Sequence, residues 1–339
     1  MQLEQHFTQA WAKQSGWLNL LWPISGLYGL IIQCRRYLYA QDILKSYRAP
    51  VPVMIIGNIT VGGSGKTPLI IELVNFLQYF GLNVAVISRG YGGQGPFPRL
   101  VDDDDTPDSV GDEPLLIVQQ TGVLMAVGPN RQQAIELILQ DTKPDLILSD
   151  DGLQHLALQR DLEWIVLDVD RGLGNQQLLP AGFLRESVDR LDSATVIEHG
   201  KSANSNLTMQ LESDTLQPLR TQSNSRFSAK PPSSSSGIQV HAVAGIGRPQ
   251  RFFQSLKALG FELIEHVFPD HYDYQPSDLE FEDELPIITT AKDAVKIQQF
   301  ADMLAEKSIW ILPVQAQLST ACYELLLQQL KDLNIAIAP

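Results

Sequence analysis

Lys66 and Thr67 close a stretch, residues 53–67, that reads VMIIGNITVGGSGKT. An apolar, β-branched run empties into a glycine-rich turn ahead of an amphipathic run, the order of strand, loop and helix in a phosphate-binding P-loop. The backbone N–H groups of Gly62, Gly63, Ser64 and Gly65 can wrap polyphosphate oxygens, because glycine puts no Cβ in the way. The following helix adds its N-terminal dipole and unpaired N–H groups. Lys66 is expected to reach the β- and γ-phosphates and the Thr67 hydroxyl to take a place on Mg²⁺, with Thr60 and Val61 completing the ATP-binding loop. The usual pattern, G-x-x-x-x-G-K-[ST], has glycine where this chain has Thr60.

Such a loop works with a carboxylate at the end of a neighbouring strand. PDLILSDDGLQH, residues 144–155, runs an apolar segment into Asp150 and Asp151. One of the pair can hold Mg²⁺ directly or through water while the other orients water or a neighbour. The plainer alternative is an Asp pair that caps a loop. Gln154 and His155 follow closely enough to face the same cleft. Asp112, in Gly111-Asp112-Glu113-Pro114, opens a helix after the acidic run 102–105, itself read as a solvated loop. Asp112 has two readings, general base for an acceptor hydroxyl or helix N-cap. His271, in Pro269-Asp270-His271-Tyr272, is placed to pair with a carboxylate across a cleft.

The elements that must position these groups follow from periodicity. From residue 51 short β-branched runs (51–56, 84–88, 123–127, 146–149, 164–168) alternate with helical patterns (68–80, 113–120, 132–140). This predicts an α/β fold of the P-loop NTPase type: a mostly parallel sheet, helices on both faces, the ligand site at the carboxyl ends of the strands. The regularity breaks after residue 198. Residues 201–206 and 223–237, rich in Ser, Asn and Pro, read as loops or a linker. Strand patterns at 240–244, 263–268, 287–289 and 309–312, with helices at 249–259, 294–304 and 320–330, then predict a second, smaller α/β domain. The expected division is 1–48, an N-terminal helical segment; 49–200, the P-loop domain; 201–237, the linker; and 238–339, the smaller domain.

Composition excludes several classes. A chain of 339 residues is comfortable for two domains, and 44% apolar content rules out wholesale disorder. A formal charge of -14 offers no positive field for nucleic acid. Two cysteines, Cys34 and Cys322, suggest neither a disulfide framework nor a Cys-based zinc site, which fits a reducing cytoplasm. Residues 1–50 depart from the acidic balance: Lys13, Arg35, Arg36, Lys45 and Arg48 against Glu4 and Asp42, five minus two, give +3. Trp11, Trp17 and Trp22 lie there too. The apolar run 17–32 falls short of the roughly 20 residues of a spanning helix and is interrupted by Asn19 and Pro23. Tryptophans, aliphatics and flanking arginines suit an amphipathic helix at a bilayer interface, the alternative being a helix packed on the protein's own core.

Segments spread over nearly the whole chain resemble the tetraacyldisaccharide 4'-kinase family, the lipid A 4'-kinases of Gram-negative bacteria. They are GNITVGGSGKTP at 57–68, SRGYGG at 88–93, GDEP at 111–114, DDGLQH at 150–155, LLPAGFLRES at 178–187, AGIGRPQRFF at 244–253, FPDHYDY at 268–274 and TTAKDAVK at 289–296. The family also carries Thr at the position of Thr60. The resemblance implies ATP-dependent transfer of the γ-phosphoryl group to the 4'-hydroxyl of tetraacyldisaccharide 1-phosphate, a membrane-embedded lipid A precursor. It implies a peripheral enzyme on the cytoplasmic face of the bacterial inner membrane. Asp112 becomes the base and His271 its tuning partner; Asp150, Asp151 and Glu186 become candidates for the Mg²⁺ shell. Gln154 and His155 support nucleotide or metal. Arg89 and Arg131 are candidates for charged lipid groups, each equally suited to a surface ion pair. Two segments depart from the family: Gly182-Phe183-Leu184-Arg185-Glu186-Ser187 lacks both prolines of G-P-L-R-E-P, and Thr290-Ala291-Lys292-Asp293 lacks the Glu of T-E-K-D. The rival readings are a P-loop ATPase acting in partner switching or assembly, and a kinase for a soluble metabolite. No N-K-x-D motif supports a GTP switch; the nearest segment reads A-K-D-A at 291–294.

Overall fold

The computed structural model describes residues 2–202, 205–219, 232, 237–304 and 306–337. Its larger sheet takes β1 (Val53–Gly57), β2 (Val84–Ser88), β3 (Arg99–Leu100), β4 (Leu124–Val127), β5 (Leu146–Asp150), β6 (Leu162–Asp168), β7 (Thr195–His199), β8 (Thr208–Ser213) and, from the end of the chain, β14 (Val314–Leu318). The spatial order is β14-β8-β7-β6-β1-β5-β2-β4-β3, parallel except for the two edge strands. The smaller sheet runs β11 (Phe261–Val267), β10 (Ile238–Ala244), β12 (Ile287–Thr290), β13 (Ile309–Leu312), β9 (Gln217–Pro218), with β9 antiparallel at one edge. Pro218, which has no N–H to donate, sits on that edge.

Strands covered on both faces are apolar throughout, and β1, β2 and β5 are buried along their whole length. Alternate side chains enter separate cores. Met54 and Ile56 join the core under α3 (Lys66–Tyr79), α5 (Asp112–Thr121) and α9 (Thr320–Asp332); Val53 and Ile55 join the one under α6 (Arg131–Asp141). The short helix α4 (Pro107–Val110) precedes α5, while α7 (Pro249–Ala258) and α8 (Ala291–Ile297) belong to the smaller sheet.

The division of the chain differs from the expectation at two places. Residues 208–213, assigned to the linker, form β8 of the large sheet; residues 314–332, assigned to the smaller domain, return to the large sheet as β14 and α9. The cause is packing: Cys322, Leu326 and Leu330 of α9 share a core with Leu69, Leu73 and Leu77 of α3. The chain thus enters the smaller domain after β8 and leaves it before β14. Most of the Ser-rich stretch 223–237 lies outside the described residues.

The N-terminal segment also differs. After α1 (Gln2–Ala12), a 3-10 turn at Gly16–Leu21 leads into α2 (Trp22–Ala40). Pro23 falls in the first turn of α2, where proline's missing N–H costs nothing, so it starts the helix rather than interrupting it. By length and composition the stretch Gly16–Ala40 is long and apolar enough to cross a membrane; an 18-residue window within it has mean hydropathy 1.2 and is 17% buried. Only small residues of α2, Ser25 and Gly29, are buried. Ser25 Oγ accepts from Ala181 N at 2.9 Å, and a Cβ on Gly29 would lie 2.9 Å from Leu178 Cδ1. The large apolar side chains Trp17, Leu20, Trp22, Ile24, Leu27, Leu30 and Ile31 point outward.

Candidate active site

The loop after β1 is held from both sides. Gly62 and Gly65 have φ of 95° and 94°, left-handed backbone that L-residues with a side chain rarely adopt, which explains glycine at both. Thr60, where the usual motif has glycine, pairs antiparallel with Leu184, and its Oγ1 accepts from Asn58 Nδ2 at 3.3 Å. Val61 N donates to Phe183 O at 2.9 Å, while its carbonyl accepts from Arg171, whose guanidinium stacks 4.2 Å over the Phe183 ring. Ser64 O lies 3.0 Å from His199 Nδ1 at the end of β7. Lys66 heads α3, its Nζ 3.2 Å from Asn58 Oδ1 and 3.3 Å from Asp151 Oδ1.

Because β5 lies beside β1, Asp150 and Asp151 arrive next to this loop. Asp150 is 2% exposed, and burial followed by the Glu113 charge raises its pKa above the usual carboxylate range. Asp151 is different. Burial acts to raise its pKa, but Lys66 and Arg185, whose Nη1 donates to both carboxylate oxygens at 3.2 and 3.0 Å, overcome that and hold it at about 2. Its backbone is left-handed, φ 45°, a local strain common at functional positions. Two buried side-chain atoms here, Asp150 Oδ1 and Ser64 Oγ, have no hydrogen-bond partner. Unpaired buried polar atoms are costly, and these two lie beside the glycine-rich loop.

Asp112 and His271 meet across the two domains. Asp112 opens α5 of the larger domain and is 5% exposed; His271 lies after β11 of the smaller one, its backbone also left-handed at φ 58°. Asp112 Oδ2 is 2.9 Å from His271 Nδ1, 3.5 Å from Lys296 Nζ and 4.0 Å from Lys292 Nζ. Lys292 also touches His271 Nε2 at 3.2 Å, Glu113 at 3.0 Å and Asp270 at 3.3 Å. When the ring is neutral, Nε2 accepts from the Lys292 ammonium and Nδ1–H donates to Asp112; the Nδ1–H bond to Asp112 is kept when the ring is protonated. Burial pushes the Asp112 pKa up, yet the His271 hydrogen bond and the Lys292, His271 and Lys296 charges outweigh it and pull it well below the ordinary value. His271 is raised, its bond to Asp112 exceeding the opposite effects of burial and Lys292. The N-cap of α5 is Gly111, so Asp112 is not the cap.

Other expected residues are distributed unevenly. Gln154 Nε2 donates to Asn58 O at 3.4 Å and so braces the loop. His155, kept neutral at about 4 by burial and then by Arg131, Arg160, Arg35 and Arg89, lines a cleft with Lys45, Tyr47 and Asn130. Arg89 is exposed at the end of β2. Arg131 does not fit the lipid-contact expectation. It is 3% exposed, and its guanidinium donates to Gly128 O at 3.0 Å and Asp150 O at 3.1 Å, tying together the ends of β4 and β5. Glu186 is buried, hydrogen-bonds Gln154 and feels the Arg190 and Arg36 charges, and its Oε2 has no partner. Among the described residues no three His, Cys, Asp or Glu side chains form a metal-holding group. Residues that sequence reasoning missed include Asn58, Arg185, Lys292 and Lys296. Asn58 sat inside the loop motif, while Lys292 stood out only as part of an altered segment.

Residues 17–331 match the family described as tetraacyldisaccharide-1-P 4'-kinase. The chain is 51% identical over 369 residues to a tetraacyldisaccharide 4'-kinase of Psychrobacter cryohalolentis, covering 100% of this chain and 99% of that protein. It is 47% identical over 312 residues to one from Actinobacillus pleuropneumoniae, covering 89% and 93%. A solved LpxK from Aquifex aeolicus, described as an "apo" form in complex with ATP, is 28% identical with a TM-score of 0.74, covering 94% of this chain and 99% of that one.

Proposed function

The chain belongs to the tetraacyldisaccharide-1-P 4'-kinase family, an ATP-dependent phosphotransferase of lipid A biosynthesis, and we propose that Lys66, Asp112 and His271 carry the transfer. The observation behind this assignment is the Asp112–His271 pair at 2.9 Å, assembled from two domains beside the phosphate loop.

The residues divide the work. Backbone N–H groups of residues 62–66 and the Lys66 ammonium neutralise the polyphosphate and align its terminal group. Asp151 holds Lys66 and Arg185 in the cleft. The hydroxyl of Thr67 and the carboxylate of Asp150, whose Oδ1 is unpaired as is Glu186 Oε2, suit a hard cation that keeps some of its waters, so these residues would hold Mg²⁺. Bound there, Mg²⁺ would neutralise phosphate charge. Asp112 orients the sugar hydroxyl and takes its proton. So acidic a carboxylate is a weak base, which suits a loose phosphoryl-transfer transition state in which the proton leaves late. His271 and Lys292 fix the carboxylate's direction. Closure of the smaller domain excludes water and limits idle hydrolysis.

The acceptor's place explains α2. A helix that buries small residues and exposes large apolar ones inverts the pattern of a soluble surface helix. Tyr28 OH donates to Arg185 O at 3.2 Å, which ties α2 to the active site and supports reading it as the element that meets the membrane surface. Transfer to acceptor in anionic vesicles, with Leu20, Leu27 and Leu30 changed together to Glu, tests this. Loss of vesicle binding and transfer with ATP affinity retained is expected. Equal phosphorylation of a water-soluble sugar by both proteins would favour a kinase for a soluble metabolite.

A further inference from the structure

A second group of charges borders the phosphate loop where β6 and β7 end. Asp168, at the end of β6, is nearly buried yet meets two guanidiniums of the smaller domain: Arg248 on Oδ2 and Arg251 on Oδ1 at 3.0 Å. Its Oδ1 also accepts from Arg171 N at 3.2 Å. Arg251 is amply partnered, reaching Asp170 at 2.7 Å and the His199 ring at 3.3 Å. Arg171 is spent on Val61 O and the Phe183 ring. Arg248 pairs with Asp168 and remains one-third exposed.

Position makes that arginine relevant to phosphate. It caps α7, directly after Gly247, and a Cβ on Gly247 would lie 3.5 Å from the amide N of Gly63. The smaller domain therefore rests its backbone against the loop that receives the polyphosphate. Arg248 is close enough to Arg171 for its charge to lower that residue's pKa, after burial. Two guanidiniums, Arg248 and Arg251, thus face two carboxylates, Asp168 and Asp170, with the Arg171 charge close by at the phosphate loop. Arginine's planar fork suits phosphate oxygens, and a guanidinium swung in at closure stabilises charge on a transferring phosphoryl group.

We propose that Arg248 is a nucleotide-phosphate ligand supplied by the smaller domain. It exchanges its share of Asp168 for the polyphosphate, so that nucleotide occupancy and domain closure favour each other. Arg251 keeps Asp168 paired after the exchange. The inference rests on the kinase reading given above.

The test compares wild type, Arg248→Ala, Arg248→Lys and Asp168→Asn by calorimetric titration with a non-hydrolysable ATP analogue and with AMP. Losing one charge-assisted contact predicts about tenfold or greater weakening for the triphosphate in Arg248→Ala, with AMP affinity unchanged and partial recovery in Arg248→Lys. Asp168→Asn frees Arg248 and retains triphosphate affinity. Equal weakening by Arg248→Ala and Asp168→Asn, or parallel weakening for AMP, would reduce Arg248 to an interdomain ion pair and overturn the proposal alone. Failure of wild type to bind the triphosphate would overturn the kinase reading with it.

Discussion

Replacing Asp112 by Asn keeps the side chain's shape and removes its charge and basicity. In the native site Asp112 Oδ2 faces His271 at 2.9 Å, Lys296 at 3.5 Å and Lys292 at 4.0 Å. Removing a positioned general base costs about 10²–10⁴ in rate, or about 3–5 kcal/mol on the barrier. Folding should suffer less. Lys292 retains Glu113 and Asp270, and Lys296 retains Tyr272 O at 3.1 Å. No cation is stranded, so the loss of stability is about 1–2 kcal/mol, below the 3–5 kcal/mol of an abandoned buried charge. ATP is held by Lys66 and the loop, so its KM stays within about threefold. Steady-state kcat and both KM values in detergent micelles, with a thermal melt of each protein, read these quantities. A kcat within about tenfold of wild type, or an ATP KM rising in step with the fall in kcat, would refute the base assignment.

The same pair makes the interdomain contact sensitive to pH. Asp112 is lowered on folding, so its contribution is present above about pH 4 and lost as pH falls toward its folded value. His271 is raised, so its contribution is full below about pH 6.5 and lost as pH rises through its folded pKa. A series of melts should show stability declining above about pH 6.5, and His271→Gln should flatten that decline. Arg131→Met removes two buried hydrogen bonds from a charged donor, so it should cost about 3 kcal/mol and lower the melting temperature by several degrees while leaving the acceptor KM of the folded enzyme unchanged. A raised acceptor KM without loss of stability would restore Arg131 to the lipid site.

What was legible in the sequence was local. The phosphate loop is continuous in the chain, and its strand and helix announce themselves by periodicity within a few residues. The β5 carboxylates were equally visible because an apolar run leads straight into them. Asp112 and His271 are 159 residues apart, and only resemblance joined them before the structure did. Arg131 looked like a surface cation because arginine seldom goes inside. Its burial depends on two strand ends with carbonyls to satisfy, a tertiary fact. The return of β14 and α9 to the large sheet was hidden for the same reason. Strand pairing across about a hundred residues leaves no local trace, and the Ser-rich stretch between suggested a boundary that the chain crosses twice. The N-terminal helix was read by composition, and its inverted burial pattern came only from knowing which face touches Ala181 and Leu178.

The most direct test of the account is to supply γ-labelled ATP, Mg²⁺ and tetraacyldisaccharide 1-phosphate in micelles and locate the label by mass spectrometry. The account predicts label on the 4'-oxygen of the acceptor, little phosphate released when the lipid is omitted, and loss of transfer in Lys66→Ala. Release of inorganic phosphate at the same rate with and without the lipid, leaving the acceptor unlabelled, would contradict it.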